Sequence, residues 1–289
     1  MTAESTDRRH QPRHGRSRGA TTRVRRALAW LLAGGLVVAL LGGCTTAPET
    51  GRSQLLLISP AQEAEMGLSS FDKIKRERRI VATGKDAAMV QRIGERIARV
   101  APVPGAKWEF VLFDDKTPNA FALPGGKVGV NTGILPITKD EIGLATVISH
   151  EIAHVTARHG AERASQSMAV QLGGSVLAAA IGSESAMTRE LAMQAYGVGT
   201  QVGVMLPYSR VHELEADQVG LLYMARAGFD PRGAIGFWQR FAEFNAKQGG
   251  GRPPEFLSTH PVDERRIAEL QAMMPRAVAE YERVRVARQ

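Results

Sequence analysis

Residues 144–160 read LATVISHEIAHVTARHG. Leu144, Ala145, Val147, Ile148, Ile152 and Val155 make this segment apolar on most sides, which predicts a buried helix from about Asp140 to Arg158. His150 and His154 stand four places apart, so on a helix both imidazoles rise from one face and can reach one ion. Glu151 projects beside that ion rather than onto it. There it can take a proton from water and hand it to a leaving amine. Two histidines and a carboxylate on an apolar helix are costly to desolvate, and a metal offsets that cost. The expected ion is zinc, one per chain.

A catalytic zinc takes three protein ligands and keeps one position open. A third histidine ten places after His150 would complete one known arrangement, but Gly160 occupies that place. His159 lies about 140° around the helix from His154 and is not expected to reach the same ion. The best candidate lies further on, in YSRVHELEAD (residues 208–217), where Glu213 and Asp217 are again four apart on a predicted helix. One carboxylate of such a pair can bind the metal. The other can accept a hydrogen bond from the far nitrogen of a ligand histidine, for which His150 is the expected partner. His212 adjoins Glu213 and points elsewhere.

HEIAH followed by ELEAD resembles the peptidase family that contains the CAAX prenyl endopeptidases and the HtpX heat-shock protease. The closer match is to its soluble, periplasmic lipoprotein-type members. The resemblance runs from about Thr50 to Pro261 and includes NAFALPGG (119–126) and STHP (258–261). It implies a zincin-like fold with the gluzincin arrangement: Glu213 as third ligand, Asp217 orienting a ligand. The matched segments suggest further roles. NAFALPGG resembles an edge strand next to the metal, where an extended polypeptide can pair with Asn119, Ala120 and Phe121; a turn and strand without substrate contact is the alternative. His260 can donate to the oxyanion or bind the metal in a resting state, or else cap a helix. Arg210 can act on the oxyanion or form a structural salt bridge.

The fold class expected around these motifs is α+β, mainly helical, with a small sheet beside the HExxH helix. Ser59-Pro60 signals a helix start, and Met89, Val90, Ile93, Ile97 and Val100 mark a second helix over about 86–100. Strands are predicted at 108–113, 120–123 and 127–130. Further helices are expected at about 211–227, 231–247, 261–273 and 275–288. Residues 168–205 are expected to form core helices or a flap over the site, and GGGRPP (249–254) a loop.

The 289 residues carry a net charge of +8. Eight arginines against Glu4 and Asp7 within the first 43 residues hold most of it, leaving about +2 for the remainder. A domain so near neutrality is no attractor of nucleic acid. The basic stretch precedes an apolar run, Ala27 to Leu41, and then Leu41-Gly42-Gly43-Cys44, an order that resembles a bacterial lipoprotein leader with Cys44 as the lipidated residue. Cys44 is the single cysteine, so no intramolecular disulfide forms. These readings divide the chain into a signal peptide (1–43), a tether (44–58) and a zinc metallopeptidase domain (59–289). They place it, membrane-anchored through Cys44, on the periplasmic side of a bacterial envelope, at the outer membrane. Its expected task is endoproteolysis of misfolded envelope proteins, with a chaperone-like or latent peptidase-fold protein as the alternative.

Overall fold

Ser59 accepts a hydrogen bond from the Gln62 amide while the Gln62 side chain returns to the Ser59 amide, a capping box that starts α1, Pro60–Glu77. In this computed structural model, residues 44–247, 256, 260–261 and 263–287 are described. The leader (1–43) and the GGGRPP stretch, expected to be a loop, lie outside the described residues. Helix α2, Lys85–Ala98, turns Val90, Ile93 and Ile97 inward.

A three-stranded sheet follows: β3, Glu109–Phe113; β4, Ala120–Leu123; and β5, Lys127–Asn131. Its order is β3-β5-β4, with β5 parallel to β3 and antiparallel to β4. β4 is therefore an edge strand. The short helix α3, Leu135–Thr138, leads into α4, Glu141–Thr156, whose start is capped by Asp140 accepting from the Gly143 amide.

Helix α4 carries the HEIAH sequence and is the axis of the core, with Leu144, Val147, Ile148 and Ile152 fully buried. It ends earlier than the sequence suggests. Arg158 adopts a left-handed conformation (φ 57°), and α5, His159–Ala180, starts in a new direction. Helix α6, Ala186–Thr200, returns alongside α5 and passes through a π-helical turn into α7, Leu206–Arg226. Residues 168–205 are thus not core helices: α6 buries no residue, and Met187, Leu191, Val198 and Val202 are exposed. Tyr196 donates to the Val170 carbonyl across the hairpin.

Helix α7 packs along α4, and Gly220 sets their closeness. A Cβ there would lie 3.1 Å from the Cα and N of His150. Helix α8, Gly233–Lys247, brings Phe237, Trp238 and Phe241 to the far side of α4. The two helices expected on either side of Pro275 are one, α9, Glu264–Ala287, with the proline inside it.

The segment expected to be a tether is folded. β1, Cys44–Thr46, pairs antiparallel with β2, Ser53–Leu55. Side chains of this hairpin and its turn bind the body: Gln54 Nε2 donates to the Ala157 carbonyl at 2.5 Å, and Arg226 Nη1 lies 2.8 Å from Glu49. Among the described residues no helix is long and apolar enough to cross a membrane.

Candidate metal centre

The helical spacings bring four side chains together. His150 and His154 rise from α4, Glu213 from α7, and His260 from the segment before α9; one ligand atom of each lies within 4.8 Å of the others. His150 Nε2 is 3.1 Å from His154 Nε2. The two oxygens of Glu213 face them, Oε2 at 3.4 Å from His150 Nε2 and Oε1 at 3.4 Å from His154 Nε2. His260 Nδ1 closes the ring, 2.9 Å from Glu213 Oε2 and 3.2 Å from His150 Nε2.

Asp217, one turn along α7 from Glu213, lies 3.0 Å from His150 Nδ1 through Oδ1. A carboxylate only accepts, so the His150 proton belongs on Nδ1 and the lone pair on Nε2 faces the centre. Glu213 Oε1 and Glu151 Oε1 are buried without a hydrogen-bond partner. Lone pairs converging with buried, unpartnered carboxylate oxygens fit a cation, and imidazole nitrogens with one carboxylate are a zinc donor set. Electrostatics agree. Burial alone would push His150 down, but Asp217 and Glu213 raise it to about 9, so the centre draws positive charge. Burial likewise opposes charge on Glu213, yet His260 and His154 hold it well below the usual carboxylate range.

Glu151 points to the edge of the cluster, with Oε1 3.4 Å from His260 Nε2. Burial raises its carboxyl, while the backbone amide of Ala122 hydrogen-bonds it. A carboxyl raised toward neutrality can both accept and return a proton.

Ala122 belongs to the edge strand. The Asn131 amide donates to the Asn119 carbonyl, so Asn119 and, two places on, Phe121 point their backbone groups at β5. Ala120 and Ala122 point theirs to the open edge. Of the three residues expected to pair with a substrate, only Ala120 directs its backbone to that edge, and both it and Asn119 are buried (2% and 6% exposed).

Arg210 is exposed on the first turns of α7 and forms no ion pair with the cluster. The guanidinium at the site is Arg266, on α9. It is 3% exposed, binds Asp217 through Nε at 2.6 Å and Nη2 at 2.8 Å, and lies 3.1 Å from Glu213 Oε2 through Nη1. It stacks over Trp238 at 3.9 Å. The sequence reading missed it, although Arg266, Leu270 and Ala277 share the buried face of α9. A charged residue in register with an apolar stripe is the signal that would have found it.

Comparison with known proteins agrees with this geometry. Residues 84–274 match peptidase family M48. The chain is 40% identical over 194 residues to the mitochondrial metalloendopeptidase OMA1 of Schizosaccharomyces pombe, covering 67% of this chain and 54% of that protein. It is 34% identical over 267 residues to the mitochondrial metalloendopeptidase OMA1 of Saccharomyces cerevisiae, covering 84% and 75%. With the beta-barrel assembly-enhancing protease of Escherichia coli it shares 29% over 248 residues, covering 84% and 50%. The chain thus spans about half the length of two of these relatives and three quarters of the third. The expected location in a bacterial envelope is corrected by these matches, since both yeast relatives, of higher identity, are mitochondrial proteins. An Arg-rich, acid-poor leader is a composition that mitochondrial transit segments share with the basic start of signal peptides, so it does not separate the two.

Proposed function

The chain belongs to peptidase family M48, and from that premise we propose that it is a zinc-dependent endopeptidase cutting internal bonds of extended, unfolded polypeptides. The observation that carries this is the meeting of His150, His154, Glu213 and His260 around one point, with Glu151 and the open edge of β4 beside it.

His150, His154 and Glu213 hold the ion. Zinc bound there supplies Lewis acidity, polarising the scissile carbonyl and acidifying water. The substrate lies along the edge of β4 as an added strand. Glu151 Oε1, free of hydrogen bonds, accepts the proton from the attacking water and returns it to the nitrogen of the leaving amine. Trp238 and Phe256, both buried beside His150 and His260, keep bulk water from the back of the site.

His260 favours a second element of the proposal, a resting state. Its imidazole offers a ligand atom within 4.8 Å of those of the other three groups, and so would fill the position that a substrate needs open.

The test is paired: zinc content and cleavage of unfolded casein by the full chain, wild type against Glu151→Gln. Zinc in both with cleavage in the wild type alone supports the proposal. Absence of stoichiometric zinc from the wild type overturns it.

A further inference from the structure

On the side of His154 away from the cluster lies a set of buried polar groups with no part in the proposed reaction. His159 Nδ1 is 2.8 Å from His154 Nδ1, and His159 Nε2 is 3.0 Å from Glu215 Oε2. His159 is 2% exposed and Glu215 5%. Arg52 Nε donates to Glu215 Oε2 at 2.6 Å, and the Thr50 hydroxyl donates to Glu215 Oε1. The remaining Arg52 nitrogens bind Glu162 at 2.9 and 2.6 Å. Glu162 also accepts from His212 Nε2 at 2.9 Å, and the His212 ring stacks on His159 at 4.2 Å between centroids.

These partners assign the protons. Glu215 can only accept, so His159 carries its hydrogen on Nε2. The neutral imidazole then presents a lone pair at Nδ1. The proton shared across the 2.8 Å contact accordingly sits on His154 Nδ1, and His154 Nε2 is left bare toward Glu213 and His150. With the opposite arrangement, a hydrogen on His154 Nε2 would point into the cluster and block metal. Asp217 does for His150 what a two-residue chain, Glu215 to His159, does for His154.

We propose that His159 is a positioning residue for the zinc site. Seated on Glu215, it fixes the His154 proton on Nδ1 and leaves Nε2 for the ion, and Thr50 and Arg52 carry that support into the N-terminal hairpin. The proposal rests on the reading of the cluster as a zinc site. It makes residues 50–52, far from the ligands in sequence, part of what holds the metal.

The test uses the full chain and two readouts: zinc affinity by chelator competition, and 15N NMR of labelled histidine in the zinc-loaded protein. The wild type is expected to show a nitrogen–nitrogen coupling between His154 Nδ1 and His159 Nδ1, the signature of an N–H···N bond, which a purely space-filling contact lacks. His159→Leu is expected to lose that coupling and to weaken zinc about 10- to 100-fold. His159→Gln, which can still accept and donate, is expected to recover part of the affinity. If His159→Leu fails to show a cooperative urea transition, Arg52→Met decides: an affinity loss supports the relay and unchanged affinity overturns it. No coupling in the wild type, or wild-type affinity in folded His159→Leu, overturns it as well. A wild type that binds no zinc is a different failure, that of the metal site itself.

Discussion

Arg266 grips Asp217 with two nitrogens, at 2.6 and 2.8 Å, and Asp217 in turn faces His150 Nδ1 at 3.0 Å. A guanidinium from α9 thereby aims His150 on α4 through a carboxylate on α7. Removing it leaves Asp217 and part of Glu213 buried without their counter-charge. Arg266→Met is expected to cost about 3–5 kcal/mol in urea-monitored stability. A variant within about 0.5 kcal/mol of wild type would show that this pair is dispensable.

Glu151→Gln removes the group that moves the proton and leaves the ligands untouched. Zinc content is expected to be unchanged and kcat for casein to fall on the order of 10²- to 10⁴-fold. Parallel loss of zinc would instead make Glu151 part of the metal cage.

His260→Ala opens the fourth side of the cluster while His150, His154 and Glu213 remain. Zinc is expected to stay bound, and basal casein cleavage to rise as the resting state is lost. A fall in kcat at unchanged zinc would assign His260 to the oxyanion instead.

Glu162 and Glu215 should govern the acid limb of stability. Burial alone would raise both; hydrogen bonds from Arg52 and His212 to the first, and from His159, Thr50 and Arg52 to the second, bring each to about 2 from an ordinary 4.5. The folded values lie below the unfolded ones. Their stabilisation is therefore complete above about pH 4.5 and disappears as pH falls toward about 2. Urea midpoints across that range are expected to drop steeply in wild type and less steeply in Arg52→Met. Equal slopes would exclude the two carboxyls as the cause.

Gly220→Ala places a methyl 3.1 Å from the His150 backbone and must push α7 from α4 by a few tenths of an ångström. The expected cost is about 1–3 kcal/mol, with weaker zinc binding because Glu213 rides on the displaced helix. Unchanged zinc affinity would show that α7 can slide without moving its ligand.

The residues that meet around the metal were readable because helical period alone put them on common faces: His150 with His154, Glu213 with Asp217. The strands at 109–113, 120–123 and 127–131 announced themselves by β-branched and aromatic runs between turns. What escaped were relations that no local period encodes. Register with Leu270 and Ala277 marks Arg266 as the inward arginine of DERR, but not that its partner is Asp217, 49 residues earlier. Residues 168–205 looked like core because they are nearly uncharged, but burial requires a neighbour, and the hairpin has chiefly itself. Residues 44–58 looked like a tether because they are polar, while Thr50 and Arg52 spend that polarity on buried carboxylates.

The donors of the cluster come from widely separated parts of the chain. His150 and His260 are 110 residues apart, and Glu213 and His260 are 47 apart. An ion shared among them acts as a removable cross-link, shrinking the conformational freedom of the unfolded chain only where it stays bound. Dialysis against a strong chelator should accordingly remove that link, so the protein's melting point becomes a function of free zinc concentration.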